Sequence, residues 1–280
     1  YSNVFSQKAY YLASVADKIY LNPEGELQLL GLRSEILFYK RALDKLGVEP
    51  EIIRHGKFKS AVEPYILDKM SDANKEQTLR YVGSIWNDMV SKISISRKIS
   101  EAEINATADN LLLQIPEEAL KLKFVDGLIY KDELLEQFKT KVGATDIKSI
   151  EFIKLESYIE SPNAQVKTPR TKDKIAVVFA VGEIDGGEGD DNKIGSERIS
   201  REIRNARLDE NVKAVVLRVN SPGGSALASE VILREVKLTK KVKPVIVSMG
   251  DVAASGGYYI ACAADVIVAQ PNTITGSIGV

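Results

Sequence analysis

The sequence predicts an α/β protein built as two tandem domains, each present only in part. Three observations carry that prediction. Residues 7–31 (QKAYYLASVADKIYLNPEGELQLLG) and 255–279 (SGGYYIACAADVIVAQPNTITGSIG) align without a gap at a constant offset of 248 positions. From 10–31 against 258–279, eight of twenty-two positions are identical, among them Tyr10/Tyr258, Asp17/Asp265, Pro23/Pro271 and Gly31/Gly279. Such an offset is far too long for a solenoid repeat and reads as a duplicated domain. After residue 174, strand and helix patterns alternate, which implies right-handed crossovers and a mainly parallel sheet. Between them, residues 156–173 are polar and carry the turns Ser161-Pro162-Asn163 and Thr168-Pro169-Arg170, a linker between residues 1–155 and 174–280. The chain is expected to be a fragment, holding the second half of one domain and the first half of the next.

The elements follow in order. Residues 10–16 suit a short helix, and 18–21 a short strand closed by the turn signal Asn22-Pro23. Ile36, Leu37, Leu43 and Leu46 lie at helical spacing in 33–46, ahead of a Gly47 stop. Residues 51–54 read as a strand released at Gly56. Leu79, Val82, Ile85, Met89 and Ile93 mark one face of a long helix over 72–93. Ser100 followed by Glu103 is a capping box. Residues 124–129 suit a strand and 132–142 a helix. In the second domain the strands are 175–180 (expected buried), 214–219, 245–248 and 266–269, with helices at 196–206, 226–238 and 256–263. Residues 186–192 (GGEGDDN) read as a flexible acidic loop whose spacing fails the EF-hand pattern.

Totals exclude several functions. A length of 280 residues allows two domains with their own cores, and 44% hydrophobic with 28% charged residues is a globular composition. The net charge of −1 gives no support to a nucleic-acid surface. The single cysteine, Cys262, excludes an internal disulfide, and the single histidine, His55, excludes a multi-histidine zinc site. No apolar run is long enough to span a bilayer.

Three glycine-bearing turns of the second domain carry chemistry. Pro222-Gly223-Gly224, within RVNSPGG between a strand and a helix, frees N–H groups to point outward as an oxyanion cradle. Ser255 stands at a helix start among small residues that let a substrate backbone approach. Ser277, in TGSIG, offers a hydroxyl able to orient a neighbour. Each alone has an ordinary reading: a tight βα turn, a helix cap, a turn serine. A serine nucleophile also needs a base. His55 is the candidate by residue type. Lys59, among apolar neighbours in Phe58-Lys59-Ser60-Ala61-Val62, is the alternative, provided that burial favours its neutral form. In the first copy, Gln7 and Leu29 stand opposite Ser255 and Ser277.

Together these motifs resemble the signal peptide peptidase A (protease IV) family in its long, duplicated form. The resemblance rests on GKFKSAVEPY (56–65), RVNSPGGS (218–225), MGDVAASGGYYIA (249–261) and TGSIG (275–279). It implies tandem domains of the Clp protease and crotonase type, with no cofactor and no metal. It further implies a Ser/Lys dyad: Ser255 as nucleophile, Lys59 from the degenerate domain as base, and Ser277 holding the amine. Gly256, with Gly224 in preference to Gly223, would form the oxyanion hole. The implied substrates are signal peptides and other apolar peptides. The implied setting is a homotetramer on the outer side of the cytoplasmic membrane, anchored by a segment absent from this chain. Two other classes stay in view. A crotonase-type acyl-CoA hydratase or isomerase uses similar turns with acidic residues, and a non-catalytic scaffold would suit the first copy.

Overall fold

A computed structural model describes residues 1–161 and 171–278. Half of the expected linker (162–170), together with Gly279 and Val280, lies outside the described residues. The first stretch runs β1 (Ser2–Phe5), α1 (Gln7–Ala13), β2 (Tyr20–Leu27), α2 (Lys40–Leu46), α3 (Glu63–Ile66), α4 (Asp72–Arg97), α5 (Glu101–Asp109), α6 (Pro116–Lys121), β3 (Gly127–Leu128), α7 (Lys131–Val142) and α8 (Leu155–Ile159). The second runs β4 (Lys174–Val181), β5 (Glu183–Asp185), β6 (Gly189–Asp190), β7 (Lys193–Gly195), α9 (Ser196–Leu208), β8 (Val212–Ser221), α10 (Ala226–Lys240), β9 (Val245–Ala254), α11 (Gly256–Ala261), β10 (Val266–Val268) and β11 (Ile274–Gly276). Two compact units emerge, Tyr1–Arg33 with Ile85–Pro169, and Ser34–Ser84 with Arg170–Val280. The segment bearing Lys59 therefore groups with the segment bearing Ser255.

The first unit is built on a parallel sheet of order β1-β2-β3. Its core joins Phe5, Tyr10, Ile19, Leu21, Leu27, Val90, Ile93, Ile104 and Phe124. The Tyr10 hydroxyl, fully buried, donates to the Phe124 carbonyl at 2.8 Å, which satisfies the one polar atom that its ring brings inside. Asn22-Pro23 does not close β2. It forms an excursion within the strand, where pairing jumps from Ser2↔Leu21 to Val4↔Glu26. The Asn22 side chain accepts the Glu24 N–H at 2.9 Å, an Asx turn that absorbs the extra residues. The strand expected over 124–129 is cut to Gly127–Leu128, because the N–H groups of Phe124 and Val125 donate instead to the Ala119 carbonyl.

The expected capping box is formed: Ser100 Oγ accepts the Glu103 N–H, and the Glu103 carboxylate accepts the Ser100 N–H and hydroxyl. Ser100→Ala should lower stability by about 1 kcal/mol, from a lost N-cap. Thermal or urea unfolding of the first unit checks it.

The second unit carries a parallel sheet of order β10-β9-β8-β4, with β11 also paired to β9. One face packs on α9, α10 and α11 through Val178, Ala180, Val215, Leu217, Val219, Ile232, Val236 and Val247. Strand β4 is not buried on both sides. Val178 and Ala180 face the core, while Ile175, Val177 and Phe179 remain 67%, 50% and 62% exposed. Successive side chains of a strand take opposite faces, so an all-apolar run cannot by itself say whether both faces are covered. The acidic segment 186–192 is also more ordered than a loop. Gly189–Asp190 pairs antiparallel with β7 in a small sheet of order β5-β7-β6. Arg201 grips Glu188 through two bonds of 2.7 and 2.6 Å.

In the 34–84 segment one expected element is absent and another is shortened. Residues 51–54 have no strand partner, and Ile53 is 88% exposed. The helix expected over 33–46 begins only at Lys40. A short helix depends on packing, and Leu37 is exposed.

Candidate active site

Strand β8 ends in the turn that carries Gly223 and Gly224. Both have positive φ, +105° and +149°. The turn is tied to β5: Ile184 N–H donates to the Gly223 carbonyl, and Ser225 N–H donates to the Ile184 carbonyl, both at 2.8 Å. No cis peptide bond occurs among the described residues. In a trans peptide the N–H opposes the C=O. The Gly224 N–H therefore points away from Ile184, on the side opposite the Gly223 carbonyl. Buried Ser221 accepts the Gly223 N–H at 3.1 Å and helps set the turn.

Strand β9 reaches further than the expected 245–248 and delivers Ser255 at its end. Opposite β8 the pairing jumps from Val219↔Met249 to Ser221↔Ala253. Asn220 Oδ1 fills the gap in the ladder by accepting the Val252 N–H at 3.0 Å. Ser255 then takes φ 51° and ψ −120° as the residue preceding α11. That conformation is sparsely populated for an L-residue and costs on the order of 1–3 kcal/mol. It is held by two backbone bonds of 2.9 Å, Ser255 N–H to the Gly276 carbonyl and Tyr259 N–H to the Ser255 carbonyl. The Ser255 hydroxyl makes no helix-capping bond, so the cap reading does not describe it. Gly256 is the first helical residue, and its N–H has no intrahelical acceptor. A Cβ on Gly223 would lie 2.7 Å from Gly256 N and 2.8 Å from Ser255 Cβ. The glycine turn and the serine are thus in direct contact.

Ser277 reaches the same place through register. The pairs Thr275↔Ala253 and Gly276↔Ala254 carry β11 alongside β9, and the Ser255 N–H bond to Gly276 extends the ladder by one step. Ser277 follows at φ 49°. Lys59 Nζ donates to the Ile278 carbonyl at 3.3 Å, one residue further. The structure therefore gathers Ser255, Gly256, Gly223, Gly224 and Ser277 at one sheet end and ties Lys59 to the same strand extension. His55 is exposed and makes no hydrogen bond among the described residues. Among those residues, no cluster of three or more His, Cys, Asp or Glu side chains could hold a metal ion.

Sequence reasoning missed Asn220 and Ile184. Asn220 stands two residues before Pro222, so its place ahead of the glycine turn is a usable signal. Ile184 has none, because its contact with Gly223–Ser225 depends on how β5 folds back.

The first copy repeats the register. Val4↔Glu26 and Phe5↔Leu27 correspond, at the offset of 248, to Val252↔Ile274 and Ala253↔Thr275. Gln7, opposite Ser255, accepts the N–H groups of Leu30 and Gly31 at 2.9 and 3.1 Å and donates to the Gly31 carbonyl at 3.1 Å. Its amide ties down the loop that corresponds to 277–279.

Three relatives are similar over nearly the whole chain. Protease 4 of Haemophilus influenzae is 41% identical, covering 100% of this chain and 47% of that protein. Protease 4 of Salmonella typhi is 42% identical over 99% of this chain and 45% of its own length. The chloroplastic serine protease SPPA of Arabidopsis thaliana is 33% identical over 100% of this chain and 42% of its own length. The chain thus spans about half the length of the curated relatives it matches. The model of peptidase family S49 matches residues 1–145 and 237–280, more than half of the sequence, and the chain belongs to that family.

Proposed function

We propose that this chain carries the catalytic machinery of a serine endopeptidase working through Ser255 and Lys59. The observation that carries the reading is the 3.3 Å bond from Lys59 Nζ to the Ile278 carbonyl, beside Ser277 on the strand extension that receives the Ser255 N–H. In this mechanism Ser255 Oγ attacks the carbonyl carbon of a peptide bond. The unprotonated amine of Lys59 takes the hydroxyl proton, and Ser277 orients that amine. The carbonyl π pair moves onto oxygen, where the N–H groups of Gly256 and Gly224 receive the charge. Each such donor is worth roughly 2.7–4 kcal/mol in the transition state. Collapse breaks the C–N bond, and the leaving amine takes the proton from Lys59. Water, deprotonated by Lys59, then attacks the acyl carbon; the bond from that carbon to Ser255 Oγ breaks, the acid leaves, and Lys59 returns the proton to Ser255.

Among the described residues no carboxylate is bonded to His55 to orient it, which a His-based triad requires. Membership of a peptidase family argues against the hydratase alternative. Lys59→Ala should lower kcat for an apolar peptide by about 10²–10⁴-fold, the usual contribution of a general base. His55→Ala should leave turnover near the parent's. Steady-state kinetics of both variants decide, and the opposite ranking removes Lys59 from the mechanism.

The wider reading follows the family resemblance and the relatives' names. Residues 1–155 are the second half of one copy of an ancestral domain, and residues 174–280 are the first half of the next copy. The first copy gave up the nucleophile and contributes the base, and the second kept Ser255. The small residues around Ser255 suit small or apolar side chains beside the scissile bond, as in spent signal peptides. In this reading the protein works as a homotetramer at the outer face of the cytoplasmic membrane. No helix among the described residues is long and apolar enough to cross a membrane.

A further inference from the structure

The Lys59 segment has little apolar burial or regular structure to hold it. Residues 51–62 form neither helix nor strand, and Ile53 and Phe58 are exposed. A lysine side chain carries about 2 kcal/mol of rotamer entropy, so a lysine acting on one hydroxyl needs its own backbone held in place. Here a buried charge supplies the hold. Glu63, at the start of α3, is 0% exposed. Its carboxylate accepts the Ser71 hydroxyl at 2.6 Å, the Ser71 N–H at 3.1 Å and the Asn74 amide at 2.9 Å. The guanidinium of Arg54 lies 3.7 Å from the same carboxylate. That guanidinium nitrogen also donates to the Lys59 carbonyl at 3.0 Å. Burial pushes the Glu63 carboxyl up, but the Ser71 and Asn74 bonds and the Arg54 charge outweigh it and hold the group below its ordinary value, hence ionised. Ser60 adds a second tie, touching the Gln77 amide of α4 and accepting the Glu63 N–H through its carbonyl. An ionised buried carboxylate is costly unless its partners are kept, so the arrangement resists rearrangement.

We propose that Arg54 and Glu63 are a positioning pair for Lys59: the guanidinium links the buried carboxylate to the Lys59 carbonyl and sets where the amine reaches. The inference rests on the dyad reading above. Glu63 is fully buried and Arg54 is bonded to the Lys59 carbonyl, so both act through Lys59. Lys59 is then pinned at two ends, by Arg54 at its carbonyl and by Ile278 at its amine.

The test compares Arg54→Met, Arg54→Lys and Lys59→Ala in the protein, by steady-state kinetics on an apolar peptide and by thermal unfolding. Arg54 is varied rather than Glu63, because removing a buried carboxylate leaves its three donors unpaired and risks the fold. Arg54→Met should lower kcat by about 10–100-fold, the scale of a misplacement of roughly 1 Å, with KM within twofold of the parent's. Arg54→Lys, which keeps a cationic donor, should recover most of that loss. An inactive Lys59→Ala beside a parent-like Arg54→Met overturns the pair and leaves the dyad standing. Equal loss in Arg54→Met and Arg54→Lys, tracking their fall in unfolding temperature, also overturns the pair, because that is the signature of a purely structural role. A parent-like Lys59→Ala overturns the dyad reading, and the pair with it.

Discussion

Ser255→Ala is expected to abolish peptide hydrolysis while leaving the unfolding temperature close to the parent's. Loss of a serine nucleophile costs on the order of 10⁶-fold in kcat. The fold should not register the change. The hydroxyl makes no capping bond, and alanine keeps the same Cβ in the same backbone. Ser255→Gly sharpens the test. At φ 51° and ψ −120° a glycine is far less strained than a serine. That variant should be as inactive as Ser255→Ala, yet more stable than it by about 1–2 kcal/mol, within the cost assigned to such strain. Labelling with a serine-reactive fluorophosphonate, read by peptide mass mapping, checks the chemical half, and urea unfolding checks the other. A Ser255→Ala protein that still turns over peptide and still accepts the label would remove Ser255 from the mechanism.

Gly224→Ala is expected to damage both stability and catalysis. A Cβ there would lie 2.1 Å from the Ile184 carbonyl oxygen and 2.8 Å from its nitrogen, both backbone atoms that cannot rotate away. The φ of +149° adds strain for any L side chain. Either β5 separates from the turn or the Gly224 peptide rotates. Separation breaks the two 2.8 Å bonds around Ile184, and rotation takes the N–H away from the oxyanion. A loss of about 3 kcal/mol in stability is in the range of backbone clashes at such sites. A fall of about 10²–10³-fold in kcat is expected from one displaced oxyanion donor. Unfolding and kinetics on the same preparation separate the two. A stable Gly224→Ala protein with normal turnover would exclude the Gly224 N–H from the oxyanion hole.

Much of the fold was legible because local signals and packing agreed. Helix α5 was marked by the Ser100–Glu103 box, and α4 by the Leu79 to Ile93 spacing, of which Met89 and Ile93 are buried while Leu79 stays 72% exposed. The misses share a cause. The apolar run of β4 reads as buried, but an edge strand with one covered face shows the same residues. The Ile36–Leu37 and 51–54 runs needed a neighbour to pack against or pair with, and such neighbours are not encoded locally. Asn22-Pro23 was rightly a turn signal, yet the neighbouring β1 pairs on either side of it, so the turn became an excursion within β2 rather than its end. The glycines of 186–192 suggested a loop, but positive φ at Gly187 and Gly189 serves equally to bend a hairpin back onto β7.

The candidate site divides along the same line. By itself the sequence determined which residues could take part: the repeat singled out Ser255 and Ser277 against Gln7 and Leu29, and Pro222-Gly223-Gly224 announced a turn with outward N–H groups. Those are properties of residue type and of short spacing, which a chain carries wherever it folds. Only the tertiary structure decided the arrangement. The pairing of β11 with β9 brought Ser277 beside Ser255, the Ile184 bonds turned the Gly224 N–H outward, and the Lys59 amine met the Ile278 carbonyl. Each of these joins residues distant in sequence through hydrogen bonds. Such contacts exist only once the chain has folded and its competing partners in water have been excluded.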